Sequence, residues 1–113
     1  MTRTDRGRVA EPRVEVTRYT VSLFPADSPQ RYLYDIAVEE RTPGKWAVCW
    51  MRQCFGADGE WDVDYPAGRD AAWLELHRFD RDTALRLAKL AAPHVVAGDR
   101  TAAEAAEAEA RRG

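Results

Sequence analysis

Long apolar runs are missing from this chain. No stretch reaches the ~18 uninterrupted apolar residues that a membrane-spanning helix needs, so no membrane partner is expected. The opening MTRTDRGRVAEPR has no apolar segment of the secretory type. An excess of one charge sign is missing as well. The net charge is −2 over 113 residues, whereas nucleic-acid binders usually concentrate basic charge on one surface. Lysine is scarce: Lys45 and Lys89 are the only two among 17 basic residues. That skew, together with the many alanines, points to GC-rich coding rather than to a binding surface. Cysteine is scarce too. Cys49 and Cys54, read as lying on one strand, project to opposite faces. They are then out of pairing reach, which implies reduced thiols and a cytoplasmic home.

Motifs of known chemistry are also lacking. There is no CxxC, no HExxH, no nucleophile elbow and no glycine-rich phosphate loop. No catalytic residue, metal site or cofactor is therefore expected. Three weaker constellations remain. Glu60, Asp62 and Asp64 alternate along one segment, as in an edge strand kept soluble by charge. His77, Asp80 and Asp82 crowd together in HRFDRD, where a histidine–carboxylate pair could act as a base. Asp80 is better explained as a helix N-cap. His94, beside Pro93, suits a helix C-terminus.

What is present is an ordered alternation. An apolar content of 45% supports one small core. Residues 1–12 are polar and arginine-rich and are expected to form a disordered arm. Period-two patterning then predicts strands over Arg18–Phe24, Arg31–Arg41, Trp46–Phe55 and Glu60–Tyr65. A short helix is expected within Arg69–Arg78. A main helix follows from Asp80 to about Ala92, with Leu85, Leu87, Ala88, Leu90 and Ala91 as a wide apolar face. Thr101 and Glu104 form a capping-box pattern that opens an alanine-rich helix. The predicted fold is α+β: a four-stranded antiparallel meander packed on one main helix. The core domain covers residues 13–98, and residues 99–113 form a mobile helical tail.

Turn chemistry gives the register. With Pro43 and Gly44 as central residues, Thr42 pairs with Lys45. A regular ladder then sets Val38 against Cys49 and Ile36 against Met51. Tyr34, Ile36, Val38, Ala47, Cys49 and Met51 become the core face. A three-residue loop ending at Gly59 sets Trp61 across from Phe55 and Val63 across from Gln53. This register leaves Trp46, Val48 and Trp50 as an apolar stripe on the opposite face. Either another segment of the chain covers that stripe, or it docks a partner, since tryptophan is enriched at interfaces. The functional expectation is a non-enzymatic interaction module. It would bind a protein partner, or a second copy of itself, through Trp46, Val48 and Trp50, with Arg41 and Arg52 at the border. The alternative is a nucleic-acid accessory protein that uses the same rings to stack bases. A small metal-dependent enzyme near His77 ranks third.

The segment RFDRDTALRLAKLAAPHV, Arg78 to Val95, resembles small uncharacterised proteins of high-GC actinobacteria and their phages or integrated elements. The similarity extends from about Tyr19 to Ala106, through Trp46–Val48 and Ala57–Asp62. It implies an accessory role in a mobile element and carries over no site residues.

Overall fold

A computed structural model describes residues 9–112 of the chain. The architecture is α+β. Five antiparallel strands follow one another in the sheet order β1 (Arg18–Val21), β2 (Ile36–Thr42), β3 (Lys45–Trp50), β4 (Gln53–Phe55) and β5 (Trp61–Val63). Among the described residues four α-helices accompany them: α1 (Arg31–Tyr34), α2 (Ala71–His77), α3 (Arg81–Ala91) and α4 (Ala102–Arg112). A two-stranded ribbon, β6 (Val96–Ala97) with β7 (Arg100–Thr101), joins α3 to α4. No helix among the described residues is long and apolar enough to cross a membrane.

Two expected strands divide. Arg31–Tyr34 is a helical turn rather than the start of a strand, held by the Asp35 N–H bonding the Arg31 carbonyl and by an Arg31–Asp35 ion pair at 2.8 Å. The expected strand Trp46–Phe55 is two strands, with a tight turn at Met51–Arg52 closed by the Trp50–Gln53 pair. Met51 adopts φ 56°, a left-handed value that non-glycine residues rarely take. No Gly, Asn or Asp marks this turn, so the chain text reads straight through it.

The β2–β3 register corrects the predicted face. Thr42 does pair with Lys45, and Gly44 takes φ 78° as the turn requires. Arg41, however, has no cross-strand partner. It forms a bulge between the Glu40–Trp46 and Thr42–Lys45 pairs. One extra residue shifts the ladder by one, and a one-residue shift exchanges the faces of a strand. Val38 therefore opposes Val48, and Ala37 opposes Cys49. The second loop follows expectation: Phe55 pairs with Trp61 and Gln53 with Val63, and Gly59 sits at φ 83°.

The core thus lies on the face that carries Ile36, Val38, Trp46 and Val48. Helix α3 packs on it through Ala84, Ala88 and Ala91, small residues that let the helix axis approach the sheet closely. Leu90, expected on the buried face, is exposed instead. Asp80 caps α3 by accepting the Thr83 N–H at 2.8 Å. Thr101 and Glu104 form the reciprocal capping box of α4, at 2.8 and 3.1 Å. That helix is not a detached tail. Ala102 and Ala105 are buried in the core, and the Glu109 carboxylate accepts bonds from Ser28 and Gln30. Of the expected N-terminal arm, residues 1–8 lie outside the described residues, and Val9 to Glu11 are exposed and without regular structure.

Candidate functional site

The tryptophan stripe is interior. Trp46 is 5% exposed and Val48 is fully buried. Trp50 is half-buried and donates its indole N–H to the Leu33 carbonyl at 2.8 Å. Tyr19 lies tilted against Trp46 at 5.7 Å, and Trp61 meets Trp50 edge-on at 6.0 Å. The expected binding set is therefore split. Trp46, Val48 and Trp50 face the helices, Arg41 belongs to the opposite face, and Arg52 is exposed in the β3–β4 turn. The cause is the bulge at Arg41, which exchanged the two faces of β3.

The opposite face carries the polar chemistry. Arg41 lies 3.1 Å from the Cys49 sulfur, 3.4 Å from Glu39 and 3.4 Å from Asp64. Asp64 also accepts two bonds from Arg69, at 2.6 and 2.8 Å. The Arg69 guanidinium, helped by Arg41, holds the Asp64 carboxyl below the usual carboxylate range. A folded-state pKa below the unfolded one stabilises at pH above ~4 and is lost as pH falls through the folded value. The stability gap between the parent chain and Asp64→Asn is accordingly expected to be widest near neutrality. It should close below about pH 4 in urea unfolding series. A gap constant with pH would exclude the ion pair as its source.

His77 is fully buried at the end of α2. Its Nδ1 faces the Trp73 carbonyl at 2.7 Å and its Nε2 faces Asp62 at 3.1 Å. The ring stacks on Trp73 at 4.0 Å. Sequence proximity had suggested Asp80 and Asp82 as partners. Asp80 is engaged as a cap, and the true partner comes from β5. Among the described residues, no group of three histidine, cysteine, aspartate or glutamate side chains converges to hold a metal ion.

Beside this cluster, an open groove of about 920 Å³ runs between the β2–β3 turn and α2. Arg41, Lys45, Arg69 and Arg78 line it, with Leu74, Ala71, Thr42 and a single acid, Glu75. Arg78 is steadied by the His77 carbonyl at 3.1 Å and lies 5.5 Å over the Trp73 ring. The groove joins residues from three places in the chain, so only Arg41 of its cations stood out from the sequence. Comparison with family models, curated proteins and solved structures finds no match to this chain.

Proposed function

We propose that the chain is a non-enzymatic accessory module that binds an acidic segment of a protein partner in the groove beside α2. The observation that carries this reading is the convergence of four cations on one apolar-floored groove in a chain of net charge −2. Arg41 and Arg69 are partly neutralised by Asp64. Lys45 and Arg78 have no carboxylate within ion-pair distance among the described residues, which leaves them for a ligand. Leu74 and Ala71 offer apolar contact between the charges, which suits a peptide with an apolar residue among its acids. A nucleic-acid strand would look for free stacking rings, whereas Trp46 and Trp50 face the helices and the Trp73 ring beside the groove is already engaged by His77 and Arg78. The accessory role implied by the Arg78–Val95 resemblance agrees with a module of this kind.

The test is fluorescence titration of the full chain with a glutamate-rich peptide containing one leucine, with Trp73 as the reporter beside Arg78. Lys45→Glu is expected to weaken binding roughly tenfold, about 1.4 kcal/mol. Affinity should also fall as salt is raised, because the cations are near the surface. A mixed single-stranded oligonucleotide that bound more tightly than the peptide would shift the assignment to nucleic acid. Absence of peptide binding at low salt would overturn it.

A further inference from the structure

We propose that Cys49 and Cys54 form a reversible cross-strand dithiol–disulfide couple that reacts with small hydroperoxides, Cys49 attacking and Cys54 resolving. The turn at Met51–Arg52 folds the two cysteines onto one face, where they are direct partners on β3 and β4. The hydrogen-bond pattern fixes which kind of pair they form. The Gly56 N–H bonds the Glu60 carbonyl, and the Asp64 N–H bonds the Arg52 carbonyl. These two bonds flank the Phe55–Trp61 and Gln53–Val63 pairs, so the polar backbone groups of Cys54 turn toward β5. Facing β3, Cys54 is then a non-hydrogen-bonded partner of Cys49. In such pairs the Cα atoms approach to about 4.5 Å, within the range a disulfide spans. The sulfurs are already 3.9 Å apart as free thiols. Closing the bond needs side-chain rotation and no strand movement.

The surroundings assign the two roles. Both cysteines line a cleft of about 210 Å³ with Arg41, Met51, Arg52, Gln53 and Asp64, but Cys54 is only 1% exposed whereas Cys49 is half-buried. The cleft is large enough for a peroxide and bordered by guanidinium donors. Arg41 Nη2 donates to the Cys49 sulfur at 3.1 Å. The hydrogen bond from Cys54 and the charge of Arg41 bring the Cys49 thiol down to about 7, while the same sharing pushes Cys54 up. Near neutrality Cys49 is therefore the thiol of the pair that ionises, and Cys54 keeps its proton.

The chemistry balances. The Cys49 thiolate attacks one peroxide oxygen, the O–O bond breaks, and the departing alkoxide takes a proton from water as the alcohol. Cys49 becomes a sulfenic acid. Cys54 then attacks the Cys49 sulfur, the S–O bond breaks, and hydroxide leaves with the Cys54 proton as water. Two thiols lose two electrons, and the hydroperoxide is reduced to alcohol and water. A thiol reductant restores the pair. In a cytoplasmic protein such a bridge belongs to the transient, redox-responsive kind.

The test treats the reduced full-length chain with hydrogen peroxide and follows free thiols and intact mass. The expected result is loss of both thiols with loss of two hydrogens from the monomer, reversed by dithiothreitol. The rate should rise with pH through about 7. Cys54→Ala is expected to stop at a sulfenic acid trapped by dimedone. Cys49→Ser should consume peroxide at least tenfold more slowly. Because Cys54 is buried, the parent chain unfolded in urea serves as a second comparison, and there the rate should drop several-fold at neutral pH. The proposal is overturned if both thiols survive peroxide, if only disulfide-linked dimers form, or if the folded chain reacts no faster than the unfolded one.

Discussion

Replacing Trp46 with alanine is expected to lower the stability of the fold by about 3–5 kcal/mol, the usual cost of emptying a buried Trp or Phe site. The ring is 5% exposed, packs near Tyr19 and belongs to the cluster that contains Val48, Ala84 and Ala88. The loss is a large fraction of the ~5–15 kcal/mol that holds a typical domain together. Urea unfolding followed by circular dichroism measures it directly. Trp46→Phe, which keeps an aromatic ring in the site, should lose less. A docking residue on an open sheet face would behave in the opposite way, with stability unchanged and only association lost. A Trp46→Ala protein as stable as its parent would therefore return the stripe to the surface and overturn the core described above.

The second large effect concerns His77. His77→Ala is expected to destabilise by about 2–3 kcal/mol, because it removes a fully buried ring and strands the groups bonded to it. The Trp73 carbonyl loses its side-chain partner, and the stacked Trp73 ring loses one neighbour while Arg78 still covers it. The two halves of the His77–Asp62 pair should be unequal. Asp62 is 51% exposed, so water can enter where its carboxylate stood and meet the Nε2 of His77. Asp62→Ala is thus expected to cost under about 1 kcal/mol. Equal losses in the two variants would mean that the ion pair itself, rather than the packed ring, holds the end of α2 against β5.

These expectations differ from those the chain text supports, and particular residues explain why. Local signals were readable where one residue type has one conformational use. Pro43-Gly44 marked a turn, Gly59 closed a three-residue loop, Asp80 capped α3, and Thr101 with Glu104 opened α4. The face of β3 was not readable from the turn alone, because the bulge at Arg41 leaves no compositional mark. A size comparison would have found it. Trp46, Val48 and Trp50 carry far more apolar area than Ala47, Cys49 and Met51, and the larger set gains more by burial. The turn at Met51–Arg52 was hidden by its residues, since a methionine at φ 56° is uncommon. Missing that turn also hid the cysteine pair. On one continuous strand the two sulfurs diverge, and on a hairpin they meet. The inference of a reducing compartment from unpairable cysteines loses its premise for the same reason. The basic groove was illegible for another reason: Arg41, Lys45, Arg69 and Arg78 converge only after α2 crosses back toward the β2–β3 turn.

The short length of β4 has a bearing on how this chain behaves in a crowded solution. Beyond Cys49, β4 no longer accompanies β3, and the freed edge is taken by Phe79, which exchanges two backbone hydrogen bonds with Trp46 at 2.7 and 2.9 Å. The segment Lys45–Trp50 is the most apolar strand of the sheet, low in charge and free of proline. Left open, such an edge would template the same segment of another molecule and grow into stacked strands. The loop that carries the chain from α2 to α3 therefore also works as a gatekeeper against self-templated aggregation.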